Sequence, residues 1–146
     1  MIRTAILSQP IDPARITAEV ANVTAGAVSV FLGTVRNTND GREVDGIEYT
    51  AYTAMAEREL QQIALEAGDR FGILELVVEH RTGFLRLGEV SVVIASAHSH
   101  RNPAIDCTRF VIEQIKARVP IWKLEHYSDG TREWIDPTAQ QSVTRA

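Results

Sequence analysis

Cysteine and lysine are the scarcest chemically active side chains in this sequence: Cys107, Lys116 and Lys123 are the only ones in 146 residues. A lone cysteine excludes an intramolecular disulfide framework. Long apolar runs are missing too, and no stretch approaches the ~18 residues that a membrane span requires. The first residues lack the basic-then-apolar layout of a secretory signal, so the expected setting is the cytoplasm, away from membranes. Charge of one sign is also missing: 15 basic residues face 19 acidic ones, a net charge of −4. That balance argues against a nucleic-acid binder but leaves room for a local basic patch. No repeat, no linker rich in glycine and proline, and no glycine-rich phosphate loop after a strand is found.

What remains is an ordinary globular composition, 45% hydrophobic and 23% charged. It predicts one domain over residues 1–146, with 136–146 as a flexible tail; a chain of this length buries roughly 68–70% of its extended surface. Thirteen of the fifteen basic residues are arginine, which a coding bias explains. The bias does not explain where the two lysines fall.

Strand patterns are predicted over 2–7, 27–35, 44–52, 73–80 and 89–97, with a hairpin over 121–127 and 131–135 around Ser128-Asp129-Gly130. Asp12-Pro13 opens a short helix carrying Ile16, Val20 and Val23 on one side. Helical spacing of Leu60, Ile63, Ala64, Ala67 and Phe71 predicts a long helix over 54–71, ended by Gly72. Asn102 as cap and Pro103 at the first helical position open a second, with Ile105, Ile112, Ile115 and Val119 as its stripe and Pro120 as its stop. The polar stretch 37–46 is expected as a flexible loop. Strands outnumber long helices without regular alternation, which favours an α+β fold with a largely antiparallel sheet and two long helices.

Four places carry candidate chemistry. Arg36 ends a strand beside the polar stretch, where a guanidinium can grip a phosphate or carboxylate, or simply face solvent. His98, His100 and Arg101 precede a helix start. They suit an anion, a pair of backbone-bonded histidines or, with too few ligands, a metal-dependent hydrolase. Lys116 lies in a last helical turn, where a cation is favoured by about 0.3–1 kcal/mol. Lys123 shares a strand face with Glu125 and can pair with it, or converge with Lys116 on an anion and move protons. Cys107, inside a helix, reads as a small apolar packing residue.

Six blocks follow one another through nearly the whole chain. They are Phe31-Leu32-Gly33-Thr34-Val35-Arg36-Asn37, Glu48-Tyr49-Thr50-Ala51-Tyr52 with Met55, His80-Arg81-Thr82-Gly83, Leu87-Gly88-Glu89, His100-Arg101, and Lys116 through Glu125. In this order they resemble the MoaE family, the large, catalytic subunits of molybdopterin synthase. The resemblance implies a fold of α/β-hammerhead type and a homodimer within a heterotetramer of two large and two small subunits. The small partner is a ubiquitin-like sulfur carrier ending in a Gly-Gly thiocarboxylate. The implied reaction transfers sulfur to cyclic pyranopterin monophosphate, forming the molybdopterin dithiolene, with no cofactor and no metal held by the large subunit. Lys116 and Lys123 would be catalytic and substrate-binding, with Arg36, His100 and Arg101 completing the substrate site and the last two coming from the other protomer. A non-catalytic module that docks a ubiquitin-like partner is the alternative, though it would have no need of all five basic residues.

Overall fold

The computed structural model describes residues 1–135; the expected tail over 136–146 lies outside them. The chain runs β1 (Ile2–Leu7), α1 (Pro13–Glu19), β2 (Ala27–Thr34), β3 (Thr38–Asn39), β4 (Arg42–Ala51) and α2 (Thr53–Phe71). It continues through β5 (Glu75–Arg81), β6 (Gly83–Arg86), β7 (Val90–His98), α3 (Arg101–Arg118), β8 (Ile121–Tyr127) and β9 (Arg132–Ile135). Two sheets form: β1-β5-β7-β2, and β3-β4-β8-β9 with β6 added alongside β4. Among the described residues only β1 with β5 is parallel, so the α+β class with largely antiparallel pairing and two long helices holds.

The central strands β5 and β7 of the first sheet are buried on both faces, which is why they read as near-continuous apolar runs. On one face, Leu76, Val78, Val92 and Ile94 meet Leu60, Ile63 and Ala67 of α2 and Cys107, Val111 and Ile115 of α3. On the other, Val77, Val93, Ala95 and Ala97 meet Ile16 of α1 and Val20 at its C-cap. No helix among the described residues is long and apolar enough to cross a membrane.

Several local expectations are corrected. Residues 37–46 are not a flexible loop: Thr38 and Asn39 pair with Glu43 and Arg42 across Asp40-Gly41. Both turn residues take positive φ, 49° and 76°, the left-handed pair that a tight two-residue hairpin demands. The link between β5 and β7 contains β6, whose four residues are too few to show a period yet pair with Gly46–Tyr49. A Cβ on Gly46 would stand 2.8 Å from the Leu85 carbonyl oxygen, so glycine permits that approach.

Helix α3 begins earlier than expected, with His100 at the cap position and Asn102 already helical. Its buried stripe is Ala104, Cys107, Thr108, Val111 and Ile115, while Ile105 is 46% exposed. Small residues face β7 because the backbones approach closely, with Ser96 Oγ donating to the Ala104 carbonyl at 2.8 Å. Val23 lies past the end of α1 and is fully exposed.

Candidate active site

Strand β8 alternates strictly. Ile121, Lys123, Glu125 and Tyr127 face inward, and Trp122 points to the opposite side with Thr50. The inward set meets the end of α3 and the edge of the first sheet around a cavity of about 400 Å³. Lys116 enters from the last turn of α3, Arg36 from the β2–β3 connection, Asn39 from β3, Tyr49 from β4, His80 from β5 and Ser91 from β7.

Among the described residues, three cations therefore line one cavity with a single carboxylate, that of Glu125. Glu125 is 2% exposed and accepts a short hydrogen bond from Asn39 Nδ2. The expected ion pair between Lys123 and Glu125 is absent among the described residues. Burial lowers the basicity of Lys123 below that of an ordinary lysine; Lys116 and Arg36 lower it further, against the pull of Glu125. Burial also drops the His80 imidazole to about 4, and the Lys123 charge acts in the same direction. The Tyr49 phenol is raised, first by burial and then by Glu125. Tyr49 packs edge-on against His80, with ring centroids 5.4 Å apart. Such a site favours an anion, and a lysine whose basicity is lowered gives up its proton more readily.

Arg36, Lys116 and Lys123 are thus brought together, whereas His100 and Arg101 stand at the other end of α3, on the order of 20 Å away by helical rise. His98 Nδ1 accepts the His100 backbone N–H at 2.9 Å, which gives that histidine a structural partner. Among the described residues no group of three or more His, Cys, Asp or Glu is placed to hold a metal ion. Cys107 is buried, and its thiol is pushed up to about 12 by that burial, so it is no nucleophile.

Sequence reasoning from chemistry alone missed His80, Tyr49 and Asn39 as lining residues and took Glu125 only as a pairing partner. Their available signal was alternation: Tyr49 repeats with Ile47, and His80 continues the inward positions Leu76 and Val78.

A family profile described as MoaE protein matches residues 6–118. The molybdopterin synthase catalytic subunit of Halalkalibacterium halodurans is 41% identical over 133 residues, covering 91% of this chain and 85% of the relative. The crystal structure of molybdopterin synthase from Staphylococcus aureus matches with a TM-score of 0.83 at 36% identity, over 89% of this chain and 94% of that one. A chain in the complex of subunits 1 and 2 of molybdopterin-converting factor from Helicobacter pylori shares the fold. Its TM-score is 0.73 at 24% identity, over 90% and 88% of the two chains. With the profile spanning most of its length and the cavity's cations in place, the chain belongs to the MoaE family, the catalytic subunits of molybdopterin synthase.

Proposed function

We propose that this chain transfers sulfur from the C-terminal thiocarboxylate of a small ubiquitin-like carrier to cyclic pyranopterin monophosphate, building the dithiolene of molybdopterin. The observation that carries this reading is the convergence of Arg36, Lys116 and Lys123 on one cavity. Both reactants are anions, and the arrangement supplies positive charge locally although the chain is acidic overall. In each transfer the thiocarboxylate sulfur displaces an oxygen from a side-chain carbon of the pterin, and water then cleaves the acyl C–S bond, so the carrier leaves as its carboxylate and the sulfur stays behind. Arg36 grips the phosphate, Lys116 receives the carrier's C-terminus, and Lys123 moves protons at ring opening and carboxylate release. Sulfur arrives on the partner, so the reaction draws on no cofactor of this chain. The reading assigns the reaction to the cytoplasm, whose reducing conditions suit a thiocarboxylate.

The partner assignment is supported by the two-subunit complex of the Helicobacter pylori neighbour. A second copy of this chain is supported by β2, an edge strand whose Val28, Val30, Phe31 and Leu32 are all exposed. A two-fold antiparallel pairing of β2 with its copy sets the Ala27 end, next to His98–Arg101, against the Thr34–Arg36 end at the cavity. His100 and Arg101 of a second protomer then complete the anion site, and two carriers at the outer ends make a heterotetramer.

Mixing the chain with thiocarboxylated carrier and cyclic pyranopterin monophosphate, followed by mass spectrometry, tests this. Dithiolene product is expected, with its loss in Lys123→Ala. Carrier binding without product would overturn the reading in favour of a docking module.

A further inference from the structure

Lys123 and Glu125 point the same way from β8, two residues and about 6–7 Å of strand apart, within reach of an ion pair. In the ladder with β4, Lys123 stands opposite Tyr49 and Glu125 opposite Ile47. Among the described residues the two nevertheless make no ion pair, although Glu125 is buried and a buried carboxylate needs a partner. Its hydrogen bond comes instead from Asn39 Nδ2, at 2.5 Å. On the other side of the same amide, Arg36 Nη2 lies 3.5 Å from Oδ1. Only this orientation faces donor with acceptor at both ends; turned over, the amide would set its oxygen against the carboxylate. The β3–β4 hairpin holds Asn39 in place. Its cross-strand partner Arg42 lies 3.4 Å above the Tyr127 ring and donates to Thr131 Oγ1 at 2.8 Å and to Glu133 at 3.1 Å, which fixes the hairpin on β8 and β9.

We propose that Asn39 is a positioning residue: its side-chain amide holds the Glu125 carboxylate away from Lys123 and so keeps that ammonium unpaired in the cavity. A neutral amide suits the task, because it satisfies the carboxylate without changing the charge that an incoming anion meets. A Glu125 free to swing onto Lys123 would cancel that charge and fix the proton on the lysine. The other ionisable groups around Lys123 are Arg36 from the β2–β3 connection, Tyr49 from β4, His80 from β5 and Lys116 from α3. Among the described residues none of these bonds to Glu125, which leaves Asn39 as the group that holds it. Glu125 accordingly acts on Lys123 only through space, and its pull on the proton is smaller than the opposing effects of burial and of Lys116.

The scarcity of lysine makes the test direct, since a chain labelled at lysine Cε gives just two side-chain signals, Lys116 and Lys123. Their titration is followed by NMR in the wild type, Asn39→Ala, Glu125→Gln and the double variant, with Lys116→Arg identifying the signals. Alanine frees the carboxylate to reach the ammonium. The Lys123 midpoint is therefore expected to rise by about one pH unit in Asn39→Ala, a tenfold change. In the Glu125→Gln background no carboxylate is left to swing, so adding Asn39→Ala should leave the midpoint where Glu125→Gln alone sets it. An unmoved or lowered midpoint in Asn39→Ala, or an equal rise in the Glu125→Gln background, would overturn the proposal. If Asn39→Ala does not fold, Asn39→Val replaces it, a strand former without a donor. Loss of the fold in both would make Asn39 a purely structural residue and overturn the proposal as well. In the sulfur-transfer assay, kcat of Asn39→Ala should fall more than KM changes, and its pH profile should move upward by the same shift. The rate prediction rests on the proposed function, but the titration does not, so the two can fail separately.

Discussion

The outer face of the first sheet and the cavity treat positive charge in opposite ways. On the outer face, Arg3 Nη2 lies 2.6 Å from the buried Glu79 carboxylate and Arg3 Nε 2.7 Å from Glu19, while Arg15 reaches both acids at 3.0–3.1 Å. Two cations meet two anions, and the cluster ties α1 to β1 and β5. In the cavity, among the described residues, Arg36, Lys116 and Lys123 share only Glu125, which is occupied by Asn39. Charge answered within the chain holds elements together. Charge left unanswered, with burial weakening its hold on the proton, is available to an incoming anion.

Substitution should separate the two regions. The largest effect is expected for Lys123→Ala: dithiolene formation falls about 10²–10⁴-fold, the usual contribution of a proton-transfer group, with an unchanged thermal midpoint. Comparable catalysis in the variant would remove Lys123 from the chemistry. Next comes acid. The folded His80 titrates near 4 against an unfolded value near 6.5, so the unfolded chain binds the extra proton between them. Stability present above 6.5 is therefore lost as pH falls towards 4, by about 3 kcal/mol from this group, and denaturant titrations on His80→Gln should show a flatter profile.

A smaller, purely structural effect is expected for Glu79→Ala. Leaving Arg3 and Arg15 without their buried acceptor costs about 2 kcal/mol, below the ~3–5 kcal/mol of a fully buried pair because both arginines are partly exposed. Its catalytic rate should match the wild type; a lost rate would mean that the outer network is coupled to the cavity. The smallest effect lies at alkaline pH. The basicity of folded Lys123 is depressed, so the unfolded chain holds more protons in the window just below lysine's ordinary value. Stability should rise slightly with pH there, and Lys123→Met should abolish the rise in urea titrations.

Much of this was legible in the sequence, and what escaped did so for physical reasons. The alternation of Ile121–Tyr127 and the stop at Pro120 were plain, so the faces of β8 could be read. Convergence of Lys116 with Lys123 and Arg36 could not follow from spacing, because it depends on how α3 packs on β7 and β2. Three large isoleucines suggested one stripe for α3; the helix instead presents Ala104, Cys107 and Thr108 to a strand rich in small residues, where close approach matters more than side-chain volume. Strands β3 and β6, at two and four residues, are too short for a period and exist only through their pairing with β4. His100 and Arg101 group with the lysines as anion ligands in the sequence, yet one chain separates them by the length of α3.

The Tyr49–Lys123 pairing also sets how much insertion the site tolerates. Because side chains alternate across a strand, one residue added between Pro120 and Lys123 would preserve most ladder hydrogen bonds while reversing every face of β8. Trp122 would then occupy the wall where Lys123 stands, and the ammonium would emerge in the aromatic groove of Tyr52 and Trp134. The sheet would survive and the cavity would lose its reactive cation, so the length of this short segment is as much a determinant of the site as the identity of its lysine.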